Sequence, residues 1–447
     1  MGGKKIINDP VHGTIKISGV LLDIASSPEL NRLSQIRQLG LAYLVFPGAH
    51  HTRFEHSLGV SHVASLLARG MGLDPEDVKL VSTAGILHDL GHGPFSHTME
   101  KVFHDRIGKD HMALTRDIIT GESSDWSSEW LDPEERGPTI PEILEHHGLD
   151  PGEVASLVCQ EGRPSNDSQD KLDVDGGQAY FGGPEYLFQI IHSALDADQL
   201  DFLLRDSHYT GVAYGIIDLD RIVNTITLHH GEMMVEKRGI SALEGMLVAR
   251  SLMYSSVYFH KTSRIAEGML CRAGEHLTDS ELETVWKMSD GEVLRFMMER
   301  GGKAGELAKR LRFRRLYKSA FRLDSEMLSG EDDDSGQMRE FVRNLADERE
   351  RRKMESELER RANAPPGTVL VDVPDPGLVL SEPRLKRTDI NVLGERPEPL
   401  SAISSLARAL QRRPPVPWCL MVSCQEEIRE DVARAAEKVV WSVLSGS

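Results

Sequence analysis

The chain has 447 residues, with 52 Lys and Arg against 70 Asp and Glu, which gives a formal net charge of −18. This length predicts two or three domains with a sizeable core, and the acidic balance argues against strong nucleic-acid binding and against an anionic membrane partner. The four cysteines lack a metal-ligand or redox spacing, no uncharged run is long enough to span a bilayer, and no signal-like segment is seen, so we expect reduced thiols in a cytoplasmic protein.

The chain begins with two predicted short strands over residues 5–17, where Asn8-Asp9-Pro10 and His12-Gly13 supply the turn. Apolar spacing then predicts helices along most of the chain, interrupted by polar loops at 121–137 and 162–177 and by a strand or hairpin at 222–235. The second loop is expected to be a surface insertion or a lid. The predicted helices cover 19–26, 28–39, 52–71, 77–90, 96–103, 111–120, 141–147, 151–160, 186–209, 241–256, 257–275, 279–300, 304–324 and 339–361.

The pattern changes after Ala364-Pro365-Pro366-Gly367. Alternating residues predict strands at 368–373, 388–393 and 418–423, and helices are expected at 401–411 and 425–444. The predicted fold is therefore mainly α, a helical bundle with small β-hairpins, followed by a small C-terminal α+β region. The expected domains are residues 1–325, an acidic break and charged helical linker at 326–365, and the C-terminal domain at 366–447.

His88 and Asp89 stand at the end of an apolar helical run. The helix is expected to end there because Gly91 and Gly93-Pro94 follow, and both side chains can reach one ion only where the backbone turns. An imidazole beside a carboxylate suits a borderline-hard divalent metal such as Mn, Mg, Fe, Co or Zn.

Two residues are too few to hold a metal ion, so other helices must supply ligands. His56 continues the apolar stripe of its helix, which is typical either of a core histidine or of a ligand. Asp198 lies on an apolar face of the helix predicted at 186–209, where a carboxylate requires a charged partner or a metal ion. Asp196 and Asp201 are predicted to be solvated or to cap a helix.

Taken in order, these residues resemble the HD superfamily of metal-dependent phosphohydrolases. The motifs between residues 4 and 320 are similar to those of its dNTP triphosphohydrolase branch, which includes the SAM-and-HD-domain enzymes. They are Asn8-Asp9-Pro10-Val11-His12-Gly13, Gln38-Leu39-Gly40, Phe46-Pro47-Gly48-Ala49, Arg53-Phe54-Glu55-His56-Ser57-Leu58-Gly59-Val60, His88-Asp89-Leu90-Gly91-His92-Gly93-Pro94-Phe95-Ser96-His97 and Asp196-Ala197-Asp198 with Arg205-Asp206.

The resemblance implies an HD helical bundle in which His56, His88, Asp89 and Asp198 bind a divalent metal ion of open identity. It also implies hydrolysis of a dNTP to a deoxynucleoside and inorganic triphosphate. His97 would donate a proton to the departing 5′-oxygen and be oriented by Glu100, which stands where the family usually has Asp. His92 and His111 would contact phosphates or share the proton transfer.

The resemblance further implies substrate contacts. Gln38 and Leu39 would lie under the sugar, Arg53 and Arg250 would bind phosphates, and Asp206 and Tyr258 would contact the sugar edge. Gln199 and Phe202 depart from the family pattern, which has Lys and Tyr at these positions.

Because Gln199 and Phe202 differ from the family pattern, two other functions remain as alternatives. A phosphohydrolase acting on a nucleoside monophosphate, an NTP or a phosphodiester is one alternative, and a non-catalytic nucleotide sensor is another. The expected partners are a nucleotide substrate and a second copy of the chain, as a homodimer or homotetramer.

Overall fold

The computed structural model describes residues 3–123, 137–159, 182–328, 333–374, 390–412 and 418–445. The loop predicted at 162–177 lies outside the described residues, as do most of the loop predicted at 121–137 and part of the acidic break that begins at residue 326. Helices dominate the described chain and small sheets accompany them, which confirms the predicted mainly α fold.

The N-terminal part begins with an antiparallel hairpin and continues as helices. Strands β1 (Lys4–Asp9) and β2 (Gly13–Ser18) pair with Lys4 opposite Ser18. The helices that follow are α1 (Val20–Ala25), α2 (Pro28–Arg32), α3 (Arg53–Gly70), α4 (Pro75–Leu87), α5 (His97–Ile107), α6 (His111–Thr120), α7 (Ile140–His146), α8 (Pro151–Val158), α9 (Glu185–Ile191), α10 (Ala197–Thr210) and α11 (Leu219–Val223).

The middle of the chain alternates a hairpin, a run of helices and a single strand. These elements are β3 (Ile226–His229), β4 (Glu232–Glu236), α12 (Ile240–Met253), α13 (Lys261–Glu275), α14 (Asp279–Val285), α15 (Asp290–Arg300), α16 (Gly302–Arg312) and β5 (Lys318–Asp324). A π-helical turn over Tyr254–Tyr258 separates α12 from α13.

The remaining elements form the C-terminal α+β part. They are α17 (Asp333–Asn344), α18 (Glu348–Arg361), β6 (Val369–Asp372), β7 (Asn391–Leu393), β8 (Pro397–Pro399), α19 (Leu400–Ile403), α20 (Ser405–Arg412), β9 (Trp418–Cys424) and α21 (Arg429–Ser445). One sheet has the strand order β3-β4-β7-β8, and another has the order β5-β9-β6 with β9 antiparallel to both neighbours.

Two hydrophobic cores organise these elements. The main core is built on the α3–α4 helix pair, against which α10 packs, and it extends through α12 to α16. The second core includes Leu323 of β5, Leu358 of α18 and Val422 of β9, so it takes side chains from all three predicted domain segments. The domain boundaries themselves stay a prediction.

Four predicted helices are wrong in part. The helix predicted at 339–361 is two helices, because Asp347 caps α18 by accepting from the Arg349 N–H. The helix predicted at 186–209 is two helices, because the backbone leaves the helical conformation at His192 and Asp196 caps a new helix by accepting from the Gln199 N–H. The helix predicted at 279–300 is divided in the same way by the cap at Ser289. The helix predicted at 304–324 ends at Arg312, because Arg314 takes a positive φ of 54° and the following residues pair with buried β9.

The helix predicted at 28–39 also differs from the structure, at a place that bears on function. The helix predicted at 28–39 ends at Arg32, and after a short 3₁₀ turn the chain is extended at Ile36. The Gln38 N–H donates to the His51 carbonyl (3.0 Å), and the Arg53 N–H donates to the Ile36 carbonyl (2.9 Å). Backbone pairing with a distant segment thus overrides local helix propensity and places Gln38 beside the start of α3.

All four cysteines are free thiols, as predicted. Burial raises the pKa of each of them to about 12, which disfavours the reactive thiolate. Among the described residues, no helix has the length and apolar character needed to cross a membrane.

Glu355 of α18 joins the two cores through a buried carboxylate. It accepts hydrogen bonds from the Val371 N–H (2.9 Å) and from Arg272 Nη2 on α13 (2.7 Å). We expect Glu355→Ala to lower the free energy of unfolding by about 3 kcal/mol, because it removes the partner of a buried cation and leaves a buried N–H without an acceptor. Urea denaturation followed by circular dichroism measures this change.

Glu357 of the same helix provides the matched control. Its ion pairs with Arg360 and Arg361 are solvent-exposed, so Glu357→Ala should leave the urea midpoint nearly unchanged. Equal midpoints for the two variants would contradict a stabilising role for the buried carboxylate.

Candidate metal centre and acid–base site

Three helices bring a metal-compatible cluster together. His56 lies in the first turn of α3, His88 follows the last residue of α4, and Asp198 lies in the first turn of α10. One donor atom from each residue lies within 4.8 Å of the others. Two imidazoles and a carboxylate suit a borderline-hard divalent ion, so this cluster confirms the prediction of a candidate divalent-metal site.

His88 is oriented as a metal ligand would be. Its Nδ1–H donates to the Gly85 carbonyl (2.9 Å), which leaves the lone pair of the neutral ring on Nε2. That Nε2 atom is buried and has no hydrogen-bond partner, while an oxygen of Asp198 lies 3.9 Å away. A buried acceptor without a donor fits a bound cation.

Asp89 lies at the edge of the cluster. Its Oδ1 is 3.3 Å from His88 Nε2, its Oδ2 is 3.9 Å from His56 Nε2, and Arg53 Nη1 binds the same Oδ2. Burial disfavours the charged form, but Arg53, His88 and His92 outweigh it and hold the pKa of Asp89 well below its usual range. The predicted fourth ligand is therefore an ionised carboxylate that also neutralises Arg53.

His56 is held on its Nδ1 side by the carboxylate of Asp201, to which the sequence prediction gave a different role. Its Nδ1–H donates to Asp201 Oδ2 (2.8 Å), and its Nε2 faces Asp198 Oδ1 (3.0 Å). Burial lowers the pKa of His56, but the two carboxylates together raise it to about 10. A metal ion must displace the Nε2 proton, because only the neutral ring has a lone pair to offer.

Asp201 is neither solvated nor a helix cap, so that prediction is wrong; the capping role predicted for Asp196 is confirmed. Asp201 is fully buried and also accepts from His12 Nε2 (2.6 Å) and from Arg205 Nε (2.8 Å). Arg205 in turn donates to Asp9 (2.8 Å), whose other oxygen accepts the Val11 and His12 N–H groups. Hydrogen bonds thereby connect the Asn8–Gly13 motif, through Asp201, to Nδ1 of His56.

A second group of side chains surrounds Glu100 on α5. The Glu100 carboxylate binds His97 Nδ1 (3.1 Å) and, by a shorter contact, His111 Nδ1. The rings of His92 and His111 stack with centroids 4.2 Å apart, and His92 Nε2 is 3.3 Å from Asp89 Oδ1. The three predicted histidines and the predicted glutamate therefore form one cluster, which adjoins the candidate metal centre through Asp89.

The charges of this cluster differ from ring to ring. Burial and the nearby Arg53 guanidinium hold the pKa of His92 well below its usual range, so it is neutral. Burial also opposes charge on His111 and Glu100, but their mutual contact outweighs it, raising the pKa of His111 and lowering that of Glu100. His97 is the most accessible of the rings, with 62% of its side chain exposed.

Two of the residues predicted to bind substrate, Asp206 and Tyr258, contact each other in the structure. Tyr258 Oη donates to Asp206 Oδ2 (2.6 Å), and His51 Nε2 donates to Asp206 Oδ1 (2.8 Å), so His51 joins the site although the sequence prediction omitted it. Arg53 is buried and donates from Nε to Ser96 Oγ (2.5 Å). Leu39 packs against the main core, and Arg250 is buried on α12.

Buried polar atoms without hydrogen-bond partners gather among these residues. They include Gln38 Oε1, His51 Nδ1, Arg53 Nη2, His88 Nε2 and both amide atoms of Gln199. Such atoms are costly to bury unless a ligand, an ion or water satisfies them. The described site is thus prepared for a polar ligand that offers both donors and acceptors.

Gly59, one turn after His56, leaves room for Asp201. A Cβ at Gly59 would lie 1.9 Å from Asp201 Oδ1 and 2.4 Å from Arg205 Nη2. We expect Gly59→Ala to displace Asp201 from His56 and to weaken divalent-metal binding about 10- to 100-fold, the usual cost of losing an outer-shell partner. Isothermal titration calorimetry with Mn²⁺ measures this affinity.

Gly245→Ala is the matched control, since a Cβ at that helical glycine has no neighbouring atom within 4 Å. It should leave metal affinity unchanged. Wild-type affinity in Gly59→Ala would show that the Asp201 contact does not support His56.

Glu100→Gln tests the charge on His111. Removing the carboxylate should lower the pKa of His111, so that less of the ring is protonated at neutral pH. Histidine ring resonances followed by NMR across the titration give the pKa, and the spectrum of His111→Gln assigns the signal. Glu122→Gln, at an exposed position, should change nothing; an unshifted His111 in Glu100→Gln would contradict the assigned pairing.

Comparison with known proteins gives the family. Residues 53–203 match the HD domain model, and residues 217–441, half of the chain, match the HD associated region. An uncharacterized protein of Methanocaldococcus jannaschii is 36% identical over 273 residues, covering 60% of this chain and 49% of its own length. The human deoxynucleoside triphosphate triphosphohydrolase SAMHD1 is 28% identical over 354 residues, covering 70% of this chain and 54% of its own length.

The chain thus spans about half the length of these curated relatives. A solved phosphohydrolase structure from Bacteroides thetaiotaomicron superposes with a TM-score of 0.65 at 23% identity, covering 95% of this chain and all of the other, and this likeness concerns the fold alone. The resemblance predicted from the motifs is confirmed: the chain belongs to the HD family, in the group whose HD domain is followed by an HD-associated region.

Proposed function

We propose that this chain is a metal-dependent phosphohydrolase that cleaves dNTPs to deoxynucleoside and inorganic triphosphate. The observation that carries the proposal is the group of buried, unsatisfied polar atoms beside the His56–His88–Asp198 cluster and the Glu100 histidine cluster. The similarity to SAMHD1, which is named for this reaction, supports the choice of substrate.

The metal ligands would be His56, His88 and Asp198, with Asp89 beside them. The chemistry that a divalent ion supplies in such a site is polarisation of a phosphoryl group and acidification of water. Arg53 adds a buried positive charge whose Nη2 has no hydrogen-bond partner and suits a phosphate oxygen. Its position against Asp89 places that charge directly beside the proposed ligands.

Proton transfer is assigned to the Glu100 cluster. Glu100 orients His97, the proposed donor to the departing 5′-oxygen, and the same carboxylate favours the charged form of His111. A protonated His111 suits contact with phosphate, whereas neutral His92 suits acceptance of a proton. The sugar would lie against Asp206, Tyr258, Gln38 and Leu39.

A second candidate is an HD phosphohydrolase with another nucleotide or phosphoester substrate. Gln199 favours it, because a buried neutral amide stands next to Asp198 where the family pattern has a cationic lysine. Weaker binding of a triphosphate chain is consistent with a shorter phosphate group.

The reaction products separate the two candidates. Metal-replete protein, with Mn²⁺, Mg²⁺, Fe²⁺ or Co²⁺ in parallel, is incubated with each of the four dNTPs and four NTPs, and products are resolved by ion exchange. We expect deoxynucleoside and intact triphosphate from the dNTPs. Orthophosphate or pyrophosphate would support the second candidate instead.

Asp198→Ala should remove bound metal, measured by plasma mass spectrometry, and should abolish turnover. Asp220→Ala, which removes an exposed carboxylate of α11, should retain both. Turnover in Asp198→Ala would refute the metal assignment.

The assembly and location are proposed from the sequence. We propose a homodimer or homotetramer in the cytoplasm, with a nucleotide as the small-molecule partner. Free thiols at all four cysteines support a reducing compartment.

A further inference from the structure

The helix that begins at Asp290, in the HD-associated region, contacts two segments of the proposed active site. Asp290 is 1% exposed. Its Oδ1 accepts the Phe95 N–H (2.7 Å), and its Oδ2 accepts the Arg37 N–H (3.0 Å) and Arg37 Nη1 (3.4 Å). The Asp290 carboxylate therefore binds the backbone at Arg37 and at Phe95, which are 58 residues apart in sequence and both far from Asp290.

The first of these segments is a turn of unusual conformation. Phe95 and Ser96 are consecutive non-glycine residues with positive φ angles of 54° and 45°. Such a conformation is costly and persists only where the surroundings enforce it. The turn leads directly into α5, so the direction of this turn sets the position of His97 and of Glu100.

The second segment carries Gln38. The Arg37 N–H is held by Asp290, and the next N–H, that of Gln38, is held by the His51 carbonyl. Arg53 completes the connection, because it donates from its backbone to Ile36 and from its side chain to Ser96.

Trp286, four residues before Asp290, covers the same turn. A Cβ at Gly93 would lie 2.9 Å from the Trp286 ring, and that ring packs edge-on against Phe103 of α5, with centroids 4.8 Å apart. The segment from Trp286 to Asp290 therefore contacts both ends of the turn before α5.

We propose that Asp290 is a positioning residue that fixes His97 and Gln38 relative to each other, so that the HD-associated region completes the active site. This inference rests on the proposed function for its catalytic consequence. Its structural basis, one carboxylate holding two backbone N–H groups, does not depend on the substrate.

Asp290→Asn is the discriminating variant. The amide keeps the shape of the side chain but offers one acceptor oxygen, so its NH₂ group must face one of the two backbone donors. A misplaced His97 should lower kcat about 10- to 100-fold, with a smaller change in KM because Arg53 still binds phosphate. Bound metal should be unchanged, since Asp290 contacts none of His56, His88 and Asp198.

Ser289→Ala is the matched control. It removes the N-cap of the same helix but leaves the Asp290 carboxylate in place, so kcat per folded molecule should equal that of the wild type. Hydrogen–deuterium exchange gives the second measurement: peptides that contain Arg37 and Phe95 should exchange faster in Asp290→Asn and not in Ser289→Ala.

The two proposals can fail separately. An inactive wild type with faster exchange in Asp290→Asn would overturn the proposed function and keep the structural role. An active Asp290→Asn enzyme with wild-type kcat, or equal losses in both variants, would overturn the positioning role.

Discussion

The candidate site depends on one buried charge, the carboxylate of Asp201. It accepts hydrogen bonds from His56, His12 and Arg205, which come from α3, from the turn between β1 and β2, and from its own helix. A buried carboxylate is tolerated only when it is fully paired, so these three elements must come together in one arrangement. The tautomer and direction of His56 follow from that arrangement, and the donor set at the cluster follows from His56.

The Glu100 carboxylate plays a comparable role in the neighbouring cluster. It binds two histidines whose rings differ in exposure, one largely accessible and one mostly covered. A single anion therefore fixes the orientation of both rings. The two clusters meet at Asp89, which lies between Arg53, His88 and His92.

The sequence was sufficient to predict the mainly α fold and the helices that position His56 and His88, because apolar periodicity and helix ends are local properties. The helix that carries Asp198 was predicted without the break between Ile191 and Ala197. The sequence was not sufficient for Asp201, whose partners His12 and His56 lie 189 and 145 residues away. Two local signals were available: the Asp201–Arg205 spacing of four residues, and a glycine three residues after His56. The helix prediction was wrong over residues 36–39 because it, too, could not detect a contact with another segment. The backbone there pairs with residues 51–53 and not with its own preceding turn.

The position of strand β9 in the sheet affects how the chain folds during its synthesis. It is the central strand between β5 and β6, it is fully buried, and it reaches both cores, through Met421 on one face and through Leu420 and Val422 on the other. During synthesis β5 emerges from the ribosome about 100 residues before β9, so its edge and that of β6 stay unpaired until β9 has been made. Exposed strand edges of this kind recruit other chains. A chaperone that covered the edges of β5 and β6 would act in the interval before β9 is made.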